Sequence, residues 1–338
     1  MFDKLSPVPE WQDVDAERFR SEILPRNRPA VLRGLARDWP ATREGARSPA
    51  ALADYLRRFD AGIPADTLSG SPAINGHFFY RDDMRGFNFA RSRQRIGTVL
   101  DALLACLGDE APPAISIQGL SVPDRLPGFE RENALALLPP TVAPRLWIGN
   151  RVTVAPHFDL YDNIAVVVGG RRRFILFPPD QLPNLYVGPF DFSPAGAPVS
   201  MVPPGEPDLE RFPRYAEALA AAETAELSAG DAIFIPYMWW HGVESLERFN
   251  LLANYWWNDA RPAVGSPFDV LIHAVLVLKD LPPEHRAAWR QMLDHYVFQT
   301  DGQPMAHLAP EHRGALGGLD PAGAARMRAM LARALSQV

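Results

Sequence analysis

The chain has 338 residues, 47% of them hydrophobic, and a formal net charge of −6. That length suits one large domain with an appended piece, and that charge argues against a general nucleic-acid binder, which carries a basic footprint. A single cysteine, Cys106, excludes an intrachain disulfide and argues against a cysteine-based zinc site.

The first residues, MFDKLSPVPEWQDVD, place acidic side chains where a secretion signal has basic and apolar ones. No apolar run approaches the roughly 20 residues that span a bilayer. The expectation is a cytoplasmic protein with neither a membrane nor a nucleic acid as partner. Residues 1–113 read as an α/β segment flanking a core. Within it, residues 30–36 (AVLRGLA) predict a strand ending in a turn. Residues 48–59 (SPAALADYLRRF) predict a helix, because Ser48 can cap it and Pro49 suits its first position. Residues 95–108 carry apolar side chains at helical spacing, and Cys106 among leucines reads as a buried, inert thiol.

Across residues 114–262 the pattern changes. Short apolar runs recur at 146–149, 164–168, 173–177, 232–235 and 250–257, bounded by Gly, Pro, Asn and Asp. They predict a mainly β core, a sandwich or barrel. Residues 214–227, rich in Ala, Leu and Glu, predict a helix between strands. Residues 263–338 turn helical, over 266–297 and again over 319–336. The stretch FDVLIHAVLVLKDL is too apolar for a lone surface helix, so it is expected to pack on the core or to join two copies as a homodimer.

Residues 163–177 read NIAVVVGGRRRFILF, and the Gly169–Gly170 pair between two apolar runs predicts a β-hairpin. With those glycines as the loop, Val167 faces Arg172, Ala165 faces Phe174 and Asn163 faces Leu176. Cross-strand partners share a face, so Arg172 and Asn163 point inward while Arg171 and Arg173 point out. An inward arginine needs an anion. An internal salt bridge and a clamp on a ligand carboxylate both satisfy it, and the register leaves the two open.

His157 and Asp159 stand two apart in TVAPHFDLYDN. On a strand that spacing puts an imidazole and a carboxylate on one face, but it is common by chance. His241, after two tryptophans in GDAIFIPYMWWHGVES, can supply a third ligand. Two histidines and one carboxylate with open positions form the facial triad of non-haem Fe(II) oxygenases. Three protein ligands leave room on an octahedral ion for a chelating 2-oxo acid and O₂. His77 beside Phe78, Phe79 and Tyr80 reads as core or pocket, and the five tail histidines show no ligand-like arrangement. Trp147, Tyr161, Tyr237, Trp239 and Trp240 are candidate walls, though any one of them reads more readily as core packing.

The segments PAVLRGLARDWPA, APHFD, RRRFILFPPDQLPNLY, ERFPRY, GDAIFIPYMWWHGVESL and NYWW carry a family likeness over roughly residues 17–260. Through them the chain resembles the JmjC-type, cupin-like 2-oxoglutarate oxygenases, in particular the branch around the asparaginyl hydroxylase that inhibits hypoxia-inducible factor. The resemblance implies a double-stranded β-helix (a jelly roll) holding Fe(II) at His157, Asp159 and His241. It implies 2-oxoglutarate as cosubstrate, its distal carboxylate on Arg172, with Asn163, Asn254 and Tyr80 in the same pocket. Two positions depart from that branch. Arg172 stands for its lysine, and Val154 stands for a cosubstrate-binding threonine, with Thr153 one position off. The activity implied is hydroxylation of a protein or peptide side chain or of a small molecule. The rival reading is a non-catalytic cupin module that binds a small acid, peptide or sugar.

Overall fold

The structure, a computed structural model, describes residues 2–203, 205–258 and 265–336. The chain divides into two compact units at residues 258/259. Fourteen strands lie among the described residues of the first: β1 (Ser6–Pro7), β2 (Glu10–Gln12), β3 (Ala30–Arg33), β4 (Ala65–Gly70), β5 (Ala90–Gln94), β6 (Ala114–Ser121), β7 (Pro144–Gly149), β8 (Thr153–His157), β9 (Asp162–Gly169), β10 (Arg171–Phe177), β11 (Glu223–Ser228), β12 (Ala232–Ile235), β13 (Trp240–Ser245) and β14 (Asn250–Trp257). They form a five-stranded sheet, β1-β11-β10-β13-β8, and a nine-stranded sheet, β2-β3-β12-β9-β14-β7-β6-β4-β5. Residues before 114 therefore add strands to both sheets rather than standing apart.

The two sheets bury their inner faces against each other, as the jelly-roll expectation requires. One cluster unites Ala165 and Val167 of β9, Ile233 and Ile235 of β12 and Leu252 of β14 with Phe174 and Leu176 of β10 and Val243 of β13. On β9 the intervening residues Ile164, Val166 and Val168 point the other way, into a second cluster with Leu52, Leu56, Val99 and Leu103. Those four belong to the helices Pro49–Arg57 and Ile96–Ala105, the first capped by Ser48, whose hydroxyl accepts from the Ala51 N–H at 3.0 Å. Burial on both faces explains why β9 reads as an unbroken apolar run rather than an alternation.

That double burial also overturns the hairpin. β9 pairs with β12 and β14, while β10 pairs with β11 and β13 in the other sheet. The Gly169–Gly170 step carries the chain from one sheet to the other. Gly170 has φ +77°, and a Cβ there would lie 2.4 Å from the Asn250 Oδ1. A Cβ on Gly169 would meet Leu52 at 2.6 Å, so this glycine lets a helix approach the strand. The charges select the partners of β10. Arg171 pairs with Glu226 and Glu247, and Arg173 with Glu226 and Glu244, all on β11, β13 or the turn after it. Arg172 still faces inward with Asn163, but across the gap between sheets, not along one.

A second correction concerns residues 214–227. The helix covers only Tyr215–Ala221, and Glu223–Ser228 is β11. The alternation of buried Ala225 and Leu227 with Glu226, together with pairing to β10, overrides the helical propensity of the segment.

Cys106 is buried, and its S–H donates to the Leu103 carbonyl at 3.4 Å. The second unit consists of helices Pro267–Leu278, Pro283–Tyr296 and Pro321–Leu335 with short 3₁₀ turns. No helix among the described residues is long and apolar enough to cross a membrane.

Candidate metal centre

β8 is the outer strand of the five-stranded sheet, which is why Pro156 is tolerated within it. It pairs with β13 so that His157 stands directly opposite His241. Their ring centroids are 4.4 Å apart. After His157 the strand ends, and Asp159 projects from the connection to β9. The strand thus ends before Asp159, so the H-x-D pair does not share one strand face. Phe158, between the two ligands, turns away and packs edge-on against Trp240 at 5.0 Å, so the residues flanking the ligands lock one another.

One ligand atom from each of His157, Asp159 and His241 lies within 4.8 Å of the others. The His241 Nε2 is 3.6 Å from the Asp159 carboxylate. Each imidazole Nδ1 faces a backbone carbonyl at 3.0 Å, Ala155 for His157 and Trp239 for His241. A carbonyl can only accept, so Nδ1 carries the proton and Nε2 keeps its lone pair for a metal. Burial, and then the neighbouring His157, push His241 down to about 4 despite the opposing pull of Asp159. The neutral imidazole is the form a metal needs.

The carboxylate is held in turn. The Asn163 amide donates to the Asp159 carboxylate at 3.4 Å, and the Asn254 amide donates to the Asn163 carbonyl at 2.8 Å. The loop before β13 is fastened to the same connection: the Met238 N–H donates to the Asp159 carbonyl at 3.2 Å and the Tyr237 N–H to the Asp162 carboxylate at 3.0 Å.

The three ligands open into a cavity of about 130 Å³, several times what one water needs. Arg172 lines it, 5% exposed. Among the described residues no carboxylate pairs with Arg172, and its Nε is buried without a hydrogen-bond partner. Burial pushes its pKa down to about 10. Of the two readings left open above, the internal salt bridge is removed, and the donor set fits a ligand anion.

Asn163, Asn254 and Val154 line the cavity with the triad and Arg172. Thr153 does not, because it lies next to Val154 on β8 and pairs with Glu244. Tyr80 does not line it either: it sits in a satellite cluster with Ala155, Val199 and Phe192, where its hydroxyl donates to the Phe192 carbonyl at 2.6 Å. His77 stacks on Phe79 at 4.8 Å, outside the cavity wall. Among the aromatic candidates Trp147 is a wall, Trp239 is core and Trp240 backs the ligands. Sequence reasoning missed Trp256 and Gln118, both in the lining. The signal for Gln118 is the following glycine: Gly119 has φ +56° at an irregularity in the β6–β7 register, which re-aims the side chains beside it.

A family model described as a cupin-like domain matches residues 16–261. The chain is 26% identical over 277 residues to the lysine-specific demethylase JMJ31 of Arabidopsis thaliana, a match covering 73% of this chain and 49% of that protein. It is 25% identical over 315 residues to the tRNA wybutosine-synthesizing protein 5 of Gallus gallus, covering 82% and 90%. It is 27% identical over 283 residues to the human bifunctional peptidase and (3S)-lysyl hydroxylase JMJD7, covering 75% and 84%. The chain thus spans about half the length of the Arabidopsis relative and most of the other two. The chain belongs to the cupin-like domain family.

Proposed function

We propose that this cupin-like domain protein is an Fe(II)- and 2-oxoglutarate-dependent oxygenase that hydroxylates a C–H bond of a protein side chain or small molecule. One observation carries the reading: an open three-ligand centre shares its cavity with a buried arginine that no carboxylate pairs with among the described residues. When bound, the iron and 2-oxoglutarate supply the oxidation, in which the 2-oxo acid is converted to succinate and CO₂ as O₂ is consumed. His157 and His241 offer Nε2 and Asp159 offers a carboxylate oxygen, while Asn163 restrains the group by donating to Oδ2, the oxygen that also faces the His241 Nε2. Arg172 receives the distal carboxylate of the 2-oxo acid, which supplies the charge its burial lacks. Trp147, Ile235, Leu252 and Trp256 supply apolar wall to the cavity beside the polar side chains.

A non-catalytic binder has no need of three convergent ligands with open positions, and two of the relatives are a lysine-specific demethylase and a bifunctional peptidase and (3S)-lysyl hydroxylase. The finer likeness to the asparaginyl hydroxylase branch rests on the segments quoted above, of which FPPDQ and IPYMWWH are the most specific. The reading is tested with anaerobic protein, which takes up one Fe(II) per chain and develops a weak visible absorption on adding 2-oxoglutarate. Iron uptake that is absent, or unaffected by Asp159→Ala, sinks it.

We further propose that the protein self-associates through the helix Pro267–Leu278, on which Val270, Ile272 and Leu276 are exposed. Sedimentation of the Leu276→Glu variant checks this: a species unchanged from the parent, whether monomer or dimer, rejects it.

A further inference from the structure

The metal cavity does not end at its own walls. Leu68, Gln118, Pro194 and Ala195 line both the cavity and a second depression that continues over β4 and β5 to Asp66, Arg91 and Ser92. On this face of the nine-stranded sheet Leu68 stands opposite Arg91, and Asp66 opposite Arg93. The segment 193–196 forms the other wall. Together they make a groove that starts beside the metal ligands and leads outward across the strands.

Arg91 is held in that groove. Its guanidinium lies 5.5 Å from the ring centroids of both Phe87 and Phe89, which stack on each other at 5.1 Å. Phe87 stacks in turn on Phe192 at 4.5 Å. One Arg91 nitrogen donates to the Pro194 carbonyl at 3.0 Å, leaving most of the five donors of the guanidinium free. Among the described residues no carboxylate pairs with Arg91, whereas Asp66, the acid in the groove, is 3.7 Å from Arg93. The surrounding segment 81–95 carries Arg81, Arg85, Arg91, Arg93 and Arg95 against Asp82 and Asp83, a local excess of positive charge in a chain of net −6. A guanidinium fixed by aromatic rings with no acid to meet is pre-organised for an anion brought by a ligand.

The span sets what kind of ligand. Asn254 of β14 lines the metal cavity, and β14 and β5 are four strand positions apart in the sheet. At ~4.8 Å per strand that is ~19 Å, the reach of roughly six extended residues and well beyond a small acid. A nucleic acid carries a phosphate at every nucleotide and would meet Asp66 as well as Arg91, while the groove offers one arginine without an acid.

We propose that this groove takes an extended peptide segment, with a Glu or Asp side chain on Arg91 and a residue about six positions away at the metal centre. The statement about the residue at the metal rests on the oxygenase reading; the acidic preference does not. The test uses full-length protein and fluorescent degenerate decapeptide pools with one position fixed as Glu, Gln or Lys, read by anisotropy. The Glu pool should bind roughly tenfold more tightly than the Gln or Lys pools, as a charge-assisted hydrogen bond implies. Arg91→Gln should bring the Glu-to-Gln ratio to about one, Arg91→Lys should leave it intermediate, and Arg93→Gln should leave it intact. If Arg91 serves only to fasten the Pro194 wall, the variants lower thermal stability and leave the ratio unchanged, and the proposal fails. It also fails if the parent shows no Glu preference, or if a twelve-nucleotide RNA binds more tightly than the Glu pool. Asp159→Ala separates the two readings. Its Glu preference should survive the loss of iron, and a parent protein that prefers Glu but takes up no iron leaves the groove standing and the oxygenase reading lost.

Discussion

The two ends of the cavity are built on opposite terms. At the metal end the groups that orient the ligands are paired: both Nδ1 atoms meet carbonyls, and the Asp159 carboxylate meets Asn163, which meets Asn254, whose own Oδ1 is left without a partner. At the other end Arg172 is buried with an orphaned Nε, and among the described residues no carboxylate pairs with it. A metal ligand must be oriented before the ion arrives, so its supporting bonds are made by the protein. An anion clamp must keep its donors free, so the protein leaves it incomplete and carries the desolvation cost until the ligand binds. The contrast marks which component resides in the fold and which comes and goes.

Variants at the two ends should therefore behave oppositely in the empty protein. The largest loss is expected at the metal end. His241→Ala should abolish iron uptake and all 2-oxo acid turnover, with little gain in stability, because it breaks a satisfied arrangement. Calorimetric iron titration checks it, and retained stoichiometric uptake would remove His241 from the ligand set. At the acid end, Arg172→Met removes an unpaired buried charge. Replacing even a paired buried charge and its partner by apolar groups is often neutral or stabilising by about 1–4 kcal/mol, and Arg172 has no carboxylate partner among the described residues to lose. The empty protein should melt several degrees higher, while 2-oxoglutarate affinity falls by roughly a hundredfold, as for truncation of one partner of a buried charge pair. A variant that melts lower and binds 2-oxoglutarate as before breaks the comparison.

The next effect is smaller. Asn163→Ala leaves the three ligands in place but frees Asp159 to rotate. Loss of such a supporting hydrogen bond typically weakens metal binding by about 10–100-fold. Asn254→Ala acts one step further out and should cost less. The double variant should cost less than the sum, because both act through the same carboxylate. Additive losses would mean that the two amides are not a relay.

The same contrast explains what was legible in the sequence. The ligands were readable because their chemistry is local: an H-x-D pair at a strand end and a histidine after a Trp pair, each a short signal. Individual strands such as Ala232–Ile235 were readable from composition, because each run is bounded by Gly, Pro or Asp. The pairing of strands was not. Gly169–Gly170 suits a hairpin and a crossing between sheets equally, and the deciding contacts, Leu52 against Gly169 and the Glu residues against Arg171 and Arg173, lie tens of residues away. Arg172 came out facing inward from the wrong pairing because alternation along β10 holds whichever strands flank it. Only the family likeness points Tyr80 and Thr153 to the pocket, and neither position carries a local signal that says which way the side chain points. Trp256 hid in NYWW, where two adjacent tryptophans must face opposite sides and only the fold says which.

The smallest expected change tests the acid end most finely. Val154 lines the cavity where a hydroxyl is expected from the resemblance. Val154→Thr keeps the shape and adds one donor, but the swap is not neutral, since a buried hydroxyl needs a partner. In the empty protein that hydroxyl joins the Arg172 Nε, the Asn254 Oδ1 and the Trp256 indole N–H as a further unsatisfied group, costing about 1 kcal/mol. With the 2-oxo acid bound it can donate to the same carboxylate as Arg172 and recover about as much, roughly a fivefold gain in affinity. The melting temperature should fall slightly without 2-oxoglutarate and recover with it, in a differential scan at fixed iron. The sign is the informative part. If the hydroxyl weakens both the empty and the loaded protein, the distal carboxylate does not reach Val154, and Arg172 holds its acid from another side of the cavity.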